Sequence, residues 1–445
     1  MSERIIIEFD DEEKKKKDEE KIVISFDESE ETDADKTAYD IPETKEEEVK
    51  EIEIQNITKP EETIVETSEE KIKNSKVNSC FRGNQHLSGF YQSEIKFPEG
   101  IENSFRKKFS LNLSDEFFNT ILENNRNIIL SSRNGYVYFI DRFSGMLKGN
   151  LFFENESFEK TGLVYENRIF VNSLTRITEI NDEDLSKKEI YRCNEDSYIW
   201  GSLNRIGDRL VLLEYNYHSK QAALKIIDLN ENNAVREFLF KADKFVIDKI
   251  CIANNCVYVL FDSNLLEYDL DRMSGSVHSL NMKNEAGTDE SSFIFYLNYK
   301  LFITSRNYEI YYSDLPGRDH TFKFTGIKSN YMNSTGGFDD NLFTGTPDGW
   351  RFYKISGLPV YMYEDEYENK IECISRNIIV VSQKNKIVFC NLNRFQEAEG
   401  FVISSDKNKE SVEIISSVIS GNEIFVLTKN GILEAFTNDK FNIHI

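Results

Sequence analysis

The sequence predicts an all-β protein, an eight-bladed β-propeller with seven blades as the alternative, preceded by a disordered acidic N-terminal tail. Three observations predict it. A hairpin-like phrase recurs eight times beyond residue 120, helical periodicity is nearly absent from the same region, and the first 80 residues differ in composition from everything after them.

Residues 1–80 read as the acidic tail. Of 445 residues, the first 70 hold 27 Asp and Glu against 10 Lys and Arg, whereas the remaining 375 hold 51 against 44. Few aromatics accompany that charge, so the segment buries too little apolar area to offset the entropy of ordering its backbone. Within it, "RIIIEFDDEE" (4–13) and "KIVISFDESEE" (21–31) share a base, a β-branched run, Phe-Asp and then acids. A weaker echo follows in "EIEIQNITKPEE" (51–62). Side chains alternate along a strand, so Ile5, Ile7 and Phe9, or Ile22, Ile24 and Phe26, would share one face of a strand added to a partner's sheet edge. Composition bias alone would produce the same repetition. The flanking acids favour a protein partner with a basic surface. Residues 81–100 read as a linker, and 101–445 as the propeller.

The first strand candidate of the ring, "SFRKKFSLNLS" (104–114), has no blade of its own. "SDEFFNTILENN" (114–125) is the best helical candidate, though it fits a strand equally. The repeats then begin, at residues 127, 168, 209, 256, 300, 341, 377 and 423. "NIILSSRNGYVYFIDRFSG" (127–145) is typical. A run of four or five apolar residues forms one strand, polar residues turn the chain, and a second run ends at Asp or Asn before a Ser-Gly turn. A further turn ahead of each copy leaves room for one strand inside the pair and one outside it. Four short strands in 40–45 residues is the pattern of a propeller blade. A single such sheet is too small to be stable, and blades packed face to face bury one another. The third copy, with its long "YNYHSKQ" turn, is the least regular; seven blades would make one copy an insertion. The last copy is followed only by "NDKFNIHI" and lacks an outer strand. Residues 104–114 are placed to supply that strand and latch the ring.

Three copies, "GYVYFIDRFSGMLKG" (135–149), "NLLEYDLDRMSGSVHS" (264–279) and "GWRFYKISGLPVYMY" (349–363), resemble the repeat of quinoprotein-like (PQQ-type) propellers. In that repeat a turn glycine precedes a strand ending in Asp, and a glycine turn follows. The Trp that usually comes after the second glycine is missing from every copy. Similarity to WD-type repeats is weaker, because no Gly-His and Trp-Asp pair occurs. The resemblance implies a propeller and invites an enzyme reading, a quinone-dependent dehydrogenase.

Candidate chemistry is sparse. The five histidines, His86, His218, His278, His320 and His444, show no metal-ligand spacing. Cys251 and Cys256 in "CIANNC" read as strand, Asn-Asn turn, strand, with Cys251 opposite Tyr258 and Cys256 opposite Ala253. "NDEDLSKKE" (181–189) is too poor in alternating acids for a calcium loop. "TPDGWRFY" (346–353) is a fragment of an Asp-box turn, and "STGGFDD" (334–340) lacks the strand–loop–helix context of a phosphate loop. The acidic balance disfavours nucleic acid and anionic membranes. The start, "MSERIIIEFDDEE", lacks the basic and apolar regions of a signal peptide, and the six cysteines are scattered, so a cytoplasmic chain with free thiols is expected. With no export signal, no Cys-Cys dipeptide and no repeat tryptophans, the chain is expected not to be an enzyme. No catalytic, cofactor-binding or metal-ligating residue is assigned, and no cofactor is implied. The expected function is a protein-interaction scaffold whose tail docks through the duplicated motifs. The alternative is a propeller enzyme or small-ligand binder with its site in the central channel.

Overall fold

Each repeated phrase folds as the middle hairpin of a small antiparallel sheet, and eight such sheets form the β-propeller. This is a computed structural model. It describes residues 78–79, 83–85, 87, 89–92, 105–166, 168–242, 246–280, 292–315, 321–330, 334–355, 359–364, 369–383, 386–392, 398–402 and 413–438. By backbone contacts the chain divides into Met1–Ile64 and Val65–Ile445, and all described residues belong to the second unit.

Counting strands outward from the axis, blade 1 holds Leu122–Glu123, Asn127–Ser131, Tyr136–Asp141 and Leu147–Phe152. Blade 2 holds Leu163–Tyr165, Arg168–Asn172, Arg176–Ile180 and Lys187–Arg192. In blade 3 the first strand is split into Ser197–Ile199 and Asn204–Ile206, followed by Arg209–Asn216, Gln221–Asp228 and Ala234–Lys241. Blade 4 runs through Val246–Ala253, Cys256–Phe261, Asn264–Asp269 and Ser274–Ser279, and blade 5 through Phe293–Leu297, Lys300–Thr304, Glu309–Asp314 and Lys323–Lys328. Blade 6 holds Thr335–Phe338, Asn341–Thr346, Gly349–Lys354 and Pro359–Glu364, and blade 7 Lys370–Ile374, Ile378–Gln383, Lys386–Asn391 and Ala398–Val402. Blade 8 takes Ile414–Ser420, Glu423–Thr428 and Ile432–Thr437 from the end of the chain and its outer strand, Arg106–Asn112, from the beginning. We call the side carrying the turns between first and second strands the lower face, and the side carrying the turns between second and third strands the upper face.

The second strands start where the repeat alignment puts them, at Asn127, Arg168, Arg209, Cys256, Lys300, Asn341 and Glu423, and one residue later at Ile378 in blade 7. The irregular third copy is a complete blade, so the count is eight. The latch forms as expected: Arg106 lies opposite Thr437 and Asn112 opposite Ile432. Asn254 and Asn255 both have positive φ, 49° and 62°, as a tight two-residue hairpin turn requires, and Cys251 pairs with Tyr258 and Cys256 with Ala253.

The core lies between blades rather than inside them. Among the described residues, successive sheets share apolar clusters all round the ring. Val137 and Phe139 of blade 1 meet Val164 and Ile169 of blade 2, and Val380 and Phe389 of blade 7 meet Ile424 and Phe436 of blade 8. Burying such side chains is worth ~1.5–3 kcal/mol each, which an isolated four-stranded sheet could not collect.

The helical candidate at 114–125 is corrected. No α-helix occurs among the described residues, and this stretch is irregular chain leading into Leu122–Glu123. Phe117 and Ile121 pack between blades 8 and 1, whereas Leu122 packs between blades 1 and 2. Neighbours that must face opposite ways suit the alternation of extended chain, and a helix would place them on one stripe.

Candidate functional site

The docking residues expected from the sequence, Ile5, Ile7, Phe9, Ile22, Ile24 and Phe26, lie outside the described residues, as do His86, His320 and His444. His218 is exposed in the turn between the second and third strands of blade 3. On the outer strand of blade 4, His278 Nε2 lies 3.0 Å from Ser276 Oγ and 3.7 Å from Glu267 Oε2. A serine, a histidine and an acid thus meet, but both oxygens approach the same ring nitrogen. A charge relay needs the acid on the other one. Burial pushes the Cys251 thiol up, and burial with Glu267 and Asp269 nearby raises Cys256 to about 11, so both stay protonated at neutral pH. No group of three or more His, Cys, Asp or Glu side chains converges as a metal site among the described residues.

What the fold does assemble is an aromatic cluster on the upper face of blade 3. Trp200 lies in the interruption of the first strand, partly buried against the cluster between blades 3 and 4, and its backbone N–H donates to Leu213 O at 2.9 Å. Tyr198 lies opposite Tyr215 in the sheet, and Tyr217 opens the next turn. Ring centroids are 5.6 Å apart for Trp200 and Tyr217, 5.0 Å for Tyr215 and Tyr217, and 5.8 Å for Tyr198 and Tyr217. Tyr198 and Tyr217 are exposed, at 37% and 42%, and Tyr215 is buried beneath them. Lys160 of the neighbouring loop sits 5.6 Å over the Trp200 ring, and Glu195 and Asp196, just before Tyr198, are exposed. Burial first, then the neighbouring Tyr215 and Tyr198 hydroxyls, hold Tyr217 above the usual phenol range, so it remains a neutral hydrogen-bonding group. Rings that brace one another lose little rotamer freedom when a partner covers them. These residues carry no local motif in the sequence, because Tyr198 and Tyr215 lie in two different strands, Trp200 in a strand break and Tyr217 in a turn.

A second assembly closes the lower mouth of the ring. Asn78 and Ser79 pair with Tyr165 and Val164 on the first strand of blade 2. Gln85 O accepts from Ile252 N at 3.0 Å and from Asn204 Nδ2 at 3.1 Å, in blades 4 and 3. Across the axis, Ile374 N donates to Gly89 O at 3.0 Å, and Tyr91 N donates to Ile374 O at 2.8 Å.

Between the outer strands of blades 1 and 2 lies a groove of about 430 Å³ lined by Phe152, Phe153, Arg176, Lys187 and Glu189. Its cations are engaged from within: Arg176 pairs with Glu156, and Lys187 donates to Phe152 O at 2.7 Å and covers the Phe153 ring.

No protein-family model matches the chain, and no curated protein matches it. Solved structures do. A europium-containing methanol dehydrogenase superposes with a TM-score of 0.58 at 8% identity, covering 82% of this chain and 99% of that one. The quinohemoprotein alcohol dehydrogenase ADHIIG from Pseudomonas putida HK5 gives 0.57 at 8% identity, covering 80% and 79%. BamB from Moraxella catarrhalis gives 0.51 at 12% identity, covering 77% and 100%. These likenesses show the propeller fold, the coarse part of the resemblance carried by the glycine-turn repeats. They also correct the expectation that the chain is not an enzyme. Two of these three proteins are dehydrogenases, so the propeller architecture does not by itself argue against catalysis.

Proposed function

We propose that the propeller is a platform for a protein partner with a basic surface, engaged by the upper-face aromatic cluster and by the acidic N-terminal tail. The cluster carries the reading. Tyr198, Trp200 and Tyr217 form a braced, half-exposed set of the residue types that dominate binding energy at protein interfaces. Exposed tyrosines beside Glu195 and Asp196 suit Lys and Arg side chains, which stack on aromatic faces and pair with carboxylates. On this reading residues 1–80 are a tethered tail, 81–100 join it to the ring, and the two strand-forming motifs raise the local concentration of the partner.

The test is binding of a Lys/Arg-rich peptide to the full chain, to a chain lacking residues 1–35, and to Tyr198→Ala/Tyr217→Ala. Each change is expected to weaken binding about tenfold or more, and added salt should weaken what remains. Binding untouched by both changes removes the platform reading.

Superposition on two dehydrogenases favours a second reading, a small-ligand or catalytic site in the central channel. A metabolite and quinone screen by native mass spectrometry that finds a stoichiometric ligand would support it.

A further inference from the structure

We propose that the lower mouth of the ring is a peptide-binding site, and that the described residues 83–85, 87 and 89–92 occupy it as a ligand supplied by the chain itself. The site follows from how a propeller is built. A blade turns the edge of its first strand toward the axis, and outside blade 2, where Asn78–Ser79 pairs with that strand, the edge is not covered by a further strand of the same sheet among the described residues. At the lower mouth these edges are used. Ile252 of blade 4 and Ile374 of blade 7 give their N–H groups to Gln85 O and Gly89 O, and Ile374 O takes the N–H of Tyr91. Blade 3 adds a side chain: Asn204, the first residue after the interruption of the first strand, donates to Gln85 O at 3.1 Å and to Ile250 O at 2.7 Å. One loop thereby ties blades 3, 4 and 7 across the axis.

Its side chains are seated as well. Leu87 is 3% exposed and packs in the cluster holding Cys251, Phe293 and Phe295, between blades 4 and 5. The Phe90 ring stacks on Phe338 of blade 6 at 5.0 Å, and Tyr91 packs against the clusters on both sides of blade 8. The loop is also bonded to itself: Asn84 Nδ2 donates to Phe90 O at 2.9 Å, and Leu87 N donates to Asn84 O at 3.1 Å. Gly83 and Gly89 take positive φ, and a Cβ on Gly83 would lie 3.0 Å from Phe90 O. The segment "GNQHLSGFYQ" carries no Asp, Glu, Lys or Arg, in a chain 30% charged, which suits a mouth where charges would lose their hydration. The ligand class is therefore an uncharged, glycine-containing loop with an aliphatic side chain followed by an aromatic pair three and four residues later. This site is separate from the upper-face cluster and stands or falls without it.

Hydrogen exchange on the full chain tests the proposal, comparing wild type with Leu87→Asp, which puts a charge into the apolar seat. The Ile252 and Ile374 amides are expected to exchange about a hundredfold faster in the variant, with Leu213 and Val380 inside blades 3 and 7 unchanged. A synthetic peptide of residues 78–92 at ~1 mM, comparable to the effective concentration of a tethered segment, should restore both amides in the variant and leave wild type unaltered. Equal exchange in the two proteins overturns the proposal, as does failure of the peptide to restore protection. Should Leu213 and Val380 also accelerate, Leu87→Ala, which removes the anchor without introducing charge, is judged by the same criteria.

Discussion

Asp141 ends the third strand of blade 1 and accepts hydrogen bonds from Phe143 N at 3.0 Å, Ser144 N at 2.8 Å and Ser144 Oγ at 2.9 Å, with Lys148 Nζ at 2.8 Å. Asn181, Asp228 and Asp269 hold the same turn in blades 2, 3 and 4. In these four blades the Asp or Asn that closes the repeat is thus a turn holder, a role its position in the phrase already implied. Burial works upward on Asp141, but the Lys148 and Ser144 hydrogen bonds outweigh it and set its pKa at about 2, against 3.8 for an ordinary aspartate. A depressed pKa contributes stability that is complete above about pH 4 and lost as pH falls through about 2. Asp141→Asn is therefore expected to lower the urea midpoint at pH 7, with the gap to wild type closing between pH 4 and pH 2; a pH-independent gap would contradict this. Gly145, four residues on, has φ +72°, and a Cβ there would stand 2.4 Å from the Phe109 ring of the N-terminal strand. Gly145→Ala should cost about 1–3 kcal/mol in chemical denaturation.

At the scale of elements, the latch strand is more than a row of backbone hydrogen bonds. Lys107 meets the fully buried Glu434 at 2.6 Å, and Lys108 pairs with Glu423. Arg142, in the turn after the third strand of blade 1, lies 3.3 Å from Glu123 and 3.4 Å from Glu423, and donates to Ser420 Oγ at 2.7 Å in blade 8. Burial pushes the Glu123 carboxyl up while Arg142 draws it down. Removing the arginine leaves two carboxylates close together in a dry seam, so Arg142→Ala should lose about 3 kcal/mol of unfolding free energy. A loss under ~0.5 kcal/mol would class these contacts with ordinary surface ion pairs. The strands themselves were legible because apolar runs of five between Asn, Gly and Asp turns fit little else. The split first strand of blade 3 was not: the repeat leaves room for one strand ahead of Arg209, and only pairing with Arg209–Asn216 shows that it comes in two pieces.

For the whole molecule, cores placed between blades make each sheet depend on both neighbours, and the latch extends that dependence around the circle. Unfolding is expected to be a single transition. The two tryptophans report from different sectors, Trp200 in blade 3 and Trp350, fully buried, in blade 6. Single Trp→Phe variants should give urea curves whose midpoints, each referred to the circular-dichroism midpoint of the same variant, coincide. Separated transitions would mean that groups of blades melt independently, as in open repeat arrays.

The sequence alone determined the repeat, the placement of the second and third strands and the segment that closes the ring, because strand and turn preferences act over a few residues and recur with the repeat. It left seven blades and eight open, and only the folding of the third copy as a complete sheet decided for eight. It also left open which side chains meet. Lys107 and Glu434 are 327 residues apart; Tyr198, Trp200 and Tyr217 converge only once a strand breaks and a hairpin folds back; and Gln85 reaches blades 3 and 4 only after the ring exists. Those meetings depend on how eight sheets lean together and turn their free edges toward one axis, and no short stretch of residues encodes that geometry.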